Sequence, residues 1–315
     1  MGPRYFLKGR KMGIMETAGQ IVSLFIVMVI GYALNKCKVL NSDVNAKLVK
    51  LVINVAMPAQ IITAFVSNQG IVSNAEVISV FGISFLMHAI YFIIALIFVF
   101  GLFVKKEQRG TYYFMMMFGN VGFMGFPVIE AIFGKECLIY AVIFNLVFQV
   151  LVYSVGIIII RRPDIPFSPK KLLNMPLVSA GIAIVLFFLK IKLPGPINSS
   201  LGYLGNITTP MAMIILGSII ANMKIRELFD EWRVYAFAVF KLLLVPIVAI
   251  VLLKYIPIKS EVVKGCMIVL SAMPVATNAS MLAIEYDGDM NLTSKGIFFT
   301  TLLCMLTIPL IMAFM

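Results

Sequence analysis

Apolar runs of about twenty residues recur along the whole chain, separated by short polar connections. Each run is long enough to cross the ~30 Å hydrocarbon core of a bilayer as a helix. The runs are continuous rather than alternating, which favours helices over barrel strands. Ten spans are predicted, at residues 17–36, 46–67, 77–104, 111–133, 137–160, 172–190, 200–222, 234–255, 263–285 and 293–314. The longest clearly polar connection is 161-RRPDIPFSPKK-171. The pattern therefore describes an all-α integral membrane protein. Five spans lie in residues 1–160, a linker in 161–171, and five more in 172–315.

Two spans are interrupted where they should be most regular. The fourth holds 119-GNVGFMGFP-127, with Gly119, Asn120, Gly122, Gly125 and Pro127 at mid-span. The ninth holds 271-SAMPVATNAS-280. Glycine permits unusual backbone angles and proline removes an amide hydrogen. Non-helical backbone at membrane depth is tolerated only where it lines a cavity or is buried in protein. A broken helix also presents a new N-terminus, whose amides and positive dipole end favour an anion. The amides of Val121, Gly122, Val275 and Ala276 are the candidates, with Asn120 and Asn278 adding side-chain donors and acceptors.

The interruptions fall at matching places. Asn120 and Pro274 are 154 residues apart, as are the ends of the AIFG and EYDG segments at Gly134 and Gly288. In the second span 54-NVAMP-58 has a counterpart in 206-NITTP-210, 152 residues on. Near-constant offsets, in order, predict two five-helix halves. Because five is odd, the halves insert in opposite directions, which is an inverted repeat of the kind transporters use.

Composition changes little in this picture. The chain is 61% hydrophobic and 13% charged, too apolar for a soluble domain. Its net charge of +12 sits in short loops, where it sets topology rather than binding nucleic acid. The loops after odd spans are richer in Lys and Arg, which predicts that they face the cytoplasm and that both termini lie outside a cell membrane. The basic tail 1-MGPRYFLKGRKMGIME-16 runs against that orientation; it lacks a small-residue cleavage site, and Met12 and Met15 are alternative starts. Cys37, Cys137, Cys266 and Cys304 have neither metal nor disulfide spacing. No cofactor is expected. With no HExxH, no GxSxG and one histidine, neither is an enzyme.

Several segments carry a family resemblance: 31-GYALNK-36, 51-LVINVAMPAQII-62, GNVGFMGFP and 272-AMPVATNASMLAIEYDGD-289. They resemble the auxin efflux carrier family, and the short length resembles its bacterial malonate and malate permeases. The resemblance implies an elevator-type transporter. Spans 1, 2, 6 and 7 would form a scaffold, and spans 3–5 and 8–10 a transport domain that moves against it. Spans 4 and 9 would cross at their breaks. It further implies a homodimer through the scaffold and contact between Asn120 and a substrate carboxylate. Plant members carry Pro-Asn at the first break, where this chain has Gly119-Asn120.

The expected substrate site is Gly119, Asn120, Val121, Gly122, Pro274, Val275 and Asn278. Asn54 and Asn206 either face it from the scaffold or serve only as helix-to-helix hydrogen-bond partners. His88 is expected chiefly as a structural hydrogen-bonding group, with proton relay as the alternative, since imidazole titrates near neutrality. Lys241 is expected to snorkel from the cytoplasmic end of its span. Glu130 and Glu285 sit one turn from span ends, as interfacial residues or aids to coupling. Gln60, Asn145, Gln149, Thr208 and Thr209 are weaker candidates. The function so predicted is secondary transport of a small mono- or dicarboxylate. An Na+- or H+-coupled symporter of the bile-acid type and a membrane ligand sensor are the alternatives.

Overall fold

Each apolar run carries helix in the computed structural model, which describes residues 14–160, 175–222, 231–258, 260–277, 279, 282–283, 286 and 288–314. The N-terminal tail to residue 13, the linker 161–171, Asn278 and Glu285 lie outside the described residues. The helices are α1 (Ile14–Lys36), α2 (Ser42–Val66), α3 (Asn74–Gly101), α4 (Lys106–Met117), α5 (Phe126–Phe133) and α6 (Lys135–Ile160). They continue as α7 (Met175–Phe188), α8 (Gly195–Ala221), α9 (Trp232–Tyr255), α10 (Glu261–Ser271) and α11 (Met290–Ala313). Six of them, α2, α3, α6, α8, α9 and α11, are long and apolar enough to cross a membrane. Val22–Lys36, Val121–Phe133 and Met175–Phe188 are shorter apolar helices.

Local chemistry sets the helix starts. Asn41 caps α2 by accepting from the Val44 amide, and Asp289 caps α11 by accepting from Leu292. Within the long helices the backbone widens into single π turns at Val52–Ala56, Val121–Gly125, Val152–Gly156 and Phe240–Leu244. Three of these end two residues before a proline: Pro58, Pro127 and Pro246. Proline lacks the amide hydrogen and its ring collides with the carbonyl four residues back, so the preceding turn opens. The carbonyl that Pro58 displaces belongs to Asn54. Its counterpart Asn206 ends a helical segment that resumes at Thr208, so both Asn-x-x-x-Pro segments mark a real irregularity.

The chain divides into two compact units. The first comprises residues 1–80, 122–146 and 173–222. Here α1 lies directly on α8, because Gly31 faces the Ile214 backbone and Gly217 faces the backbone of Met28 and Tyr32. Asn35 and Asn45 both donate to Ser218 Oγ, at 2.9 and 2.8 Å, and Lys36 caps the Ala221 carbonyl. The far end of α2 packs on α7 through Phe65 and Phe187, and on Gly205 of α8 through Gln60.

The second unit comprises residues 81–121, 147–172 and 223–315. Its core is an aromatic cluster of Phe98, Tyr112, Phe237 and Phe240, with ring centres 5.2–5.8 Å apart. Gly110 admits the Ile159 backbone, and Gly156 admits the rings of Phe114 and Phe118. Gly296 of α11 likewise admits the Met115 sulfur.

Candidate functional site

Helix α4 ends at Met117, and Phe118 turns into extended backbone at φ −111° and ψ 102°. Helix α10 ends at Ser271, and Met273–Ala276 is not helical. The two interruptions meet inside the second unit. Gly119 lies opposite Val275 in an isolated antiparallel bridge. The Asn120 amide donates to the Pro274 carbonyl at 2.7 Å, and the Ala276 amide donates to the Phe118 carbonyl at 3.1 Å. Two non-helical segments thus satisfy one another where both are buried in the protein.

This pairing consumes amides that the sequence offered to a ligand. The Ala276 amide is in the bridge, and the Val121 amide donates to the Gly119 carbonyl at 2.9 Å. The Val275 amide donates at 3.0 Å to the Thr300 hydroxyl of α11, which in turn lies 2.6 Å from the Gly296 carbonyl. Thr300 was not singled out from sequence. Its only signal is the Thr300-Thr301 pair in an apolar helix, and such hydroxyls commonly bond their own backbone.

The group left over is the side chain of Asn120. It is 3% exposed, and its amide nitrogen has no hydrogen-bond partner among the described residues. A buried unsatisfied donor costs about 1–3 kcal/mol. A carboxylate oxygen is the natural acceptor for it, and the bond would be charge-assisted.

Gly119 takes no part in the ladder through its own amide, because the flanking residues carry both bonds. Phe118 already has the extended conformation that a following proline demands. Any side chain at residue 119 would place its first carbon 3.3 Å from the Met273 carbonyl oxygen, so Gly119→Pro is expected to melt somewhat below the native protein and Gly119→Leu, with a longer branched side chain, well below both. Equal melting of the two variants would count against this geometry.

Next to the crossing lies a second polar cluster of the same unit. His88 Nδ1 is 2.7 Å from the Ser84 carbonyl, and its ring packs between Tyr91 and Phe118, at 5.6 and 6.2 Å. Lys241 does not snorkel. It is 1% exposed within the π turn of α9, donates to the Met116 carbonyl at 2.8 Å and lies over the Tyr91 ring. The sequence expectation fails because the partners of Lys241 lie on α3 and α4, far away along the chain.

Gln149 belongs to the second unit, and the other remaining candidates among the described residues belong to the first. Gly122 faces Met57 and the Asn145 side chain, whose buried oxygen has no hydrogen-bond partner among the described residues. Asn54 is exposed. Asn206 accepts from Lys135 at 2.9 Å; Glu130 accepts from Thr209 at 2.9 Å and stands 3.9 Å from Lys135. The Lys135 side chain is 64% exposed, so this network sits at a surface.

A family model described as membrane transport protein matches residues 17–171 and 165–312. An uncharacterised transporter of Methanocaldococcus jannaschii is 29% identical over 298 residues, covering 92% of this chain and 96% of the relative. An uncharacterised transporter of Methanothermobacter thermautotrophicus is 28% identical over 304 residues, covering 95% and 97%. These matches agree with the resemblance carried by the motifs and with a multi-pass membrane protein. The chain belongs to the membrane transport protein family.

Proposed function

We propose that the protein is a secondary transporter of small organic anions, mono- or dicarboxylates, which bind at the crossing of the two interrupted segments. The observation that carries this reading is the buried Asn120 side chain, whose amide has no acceptor among the described residues. Val121 and Val275 shape the crossing through their backbones, and Pro274 supplies the carbonyl that fixes Asn120. Gly119 allows the two segments to meet.

The fuller architecture in this proposal is ten spans in an inverted five-plus-five repeat, with residues 161–171 as the linker. It is supported by breaks and proline-linked irregularities at corresponding places in the two halves. Each compact unit also draws on both halves of the chain, as interlaced repeats would require. Movement of a transport domain against a scaffold, dimerisation through that scaffold and outward-facing termini in a cell membrane complete the proposal. Asn54 and Asn206 enter it as scaffold-side residues, and Glu130 as an aid to coupling.

The test is the melting temperature of the purified protein against a panel of small mono- and dicarboxylates. A ligand that binds only the folded state stabilises it by mass action, by about 2.7 kcal/mol at a hundred times its Kd. At least one acid is expected to raise the melting temperature. A panel without any shift would overturn the organic-anion reading.

A further inference from the structure

The polar cluster beside the crossing holds a charge that the binding reading leaves unused. Lys241 is buried in the second unit, and no carboxylate of the described residues lies within 4 Å of it. Among the described residues it donates to the Met116 carbonyl. That carbonyl is an orphan of the helix break. In a continuous helix it would accept from the amide of residue 120, four positions on. The Asn120 amide instead donates to Pro274. The break therefore creates a free carbonyl at the negative end of α4, and Lys241 fills it.

Carbonyls freed at broken membrane helices are where coupling cations bind in transporters. Here that place is taken by an ammonium group, backed by the Tyr91 ring at 5.5 Å. We propose that Lys241 is a tethered cation standing where a soluble coupling cation would otherwise bind, so that anion binding at the crossing needs no Na+. This rests on the transporter reading and deepens it. A buried ammonium without a carboxylate is unfavourable by itself, and an incoming anion offsets that cost. Lys241 is a positioning residue: it holds the end of α4 from which the segment with Asn120 follows, and supplies charge without touching the substrate. The groups facing it from neighbouring elements are Tyr91 of α3, with His88 behind it, and the Met116 backbone of α4; none is anionic in its usual state.

The test needs no substrate. Melting temperatures of the wild type, Lys241→Ala and Lys241→Arg are measured in sodium, methylammonium and choline chlorides at equal ionic strength. The wild type is expected to melt identically in all three salts. Lys241→Ala is expected to melt lower in choline, and methylammonium or Na+ should raise it again by entering the vacated site. Lys241→Arg, which keeps the charge, should show no such response. Na+-specific stabilisation of the wild type would overturn the proposal. So would a Lys241→Ala variant indifferent to small cations, because a merely structural lysine predicts that result. If Lys241→Ala does not fold, the wild-type comparison still decides. Failure of the acid panel would overturn the transporter reading while leaving this cation result legible.

Discussion

Asn120→Ala is expected to cut acid-induced stabilisation and uptake steeply while leaving the fold intact. The backbone bond from residue 120 to Pro274 does not depend on the side chain, so the crossing persists in the variant. The side-chain amide nitrogen donates to no atom of the described residues. Removing it relieves a buried unsatisfied donor and leaves a small cavity, two effects of similar size and opposite sign. Stability without ligand should therefore change little. A hydrogen bond to a carboxylate contributes about 1.5–3 kcal/mol, which corresponds to a roughly ten- to hundred-fold loss of affinity. Asn120→Asp should be worse than alanine, since it places a negative charge beside an incoming anion. The check is a pair of measurements on each variant: melting temperature alone, and its shift with the best acid of the panel. Native affinity in Asn120→Ala would remove the crossing from the binding site.

The breaks themselves were legible in the sequence. Clustered glycine, asparagine and proline at corresponding mid-span positions marked them, and the Asn-x-x-x-Pro segments coincide with a π turn at Val52–Ala56 and an interruption at Ile207. What sequence could not supply was the pairing. Phe118–Asn120 and Pro274–Ala276 are more than 150 residues apart, and only their meeting shows that three of the four offered amides are spent inside the protein. Burial at that depth leaves no water to satisfy them, so the segments must bond each other or a side chain such as Thr300.

Lys241 failed for a related reason. A lysine on an apolar span has two outlets, the interface or a buried acceptor, and local sequence favours the first. The acceptor exists only because a different helix is broken four residues before Asn120. Asn206 was expected on the scaffold and Glu130 one turn from a span end; in the structure the exposed Lys135 donates to Asn206 and stands 3.9 Å from Glu130. The glycines of α1 and α8 were not singled out at all, because close approach is visible only once the partner backbone is known.

Gly217→Leu is expected to be the most destabilising of the single changes considered. Between membrane helices there is little hydrophobic driving force, so association depends on close packing and on hydrogen bonds across the contact. At Gly217 a side chain would run into the Met28 carbonyl carbon at 2.8 Å and the Tyr32 nitrogen at 2.9 Å. Both are backbone atoms of α1, so no rotamer change makes room. Gly31 meets α8 in the same way one turn along, which leaves the two helices no direction in which to slide. Separating them also stretches the bonds from Asn35 and Asn45 to the neighbouring Ser218. Overpacking costs about 1–3 kcal/mol and each lost hydrogen bond about 1 kcal/mol more. The total approaches a large share of the 5–15 kcal/mol that separates a typical folded protein from its unfolded state. Gly181→Leu in α7 is the matched control: it is exposed, and no atom lies within 4 Å of where its side chain would begin. Purified Gly181→Leu should melt like the native protein, whereas Gly217→Leu should melt far lower or fail to purify as a monodisperse species. Similar behaviour of the two would mean that α1 and α8 do not meet backbone to backbone in the folded protein.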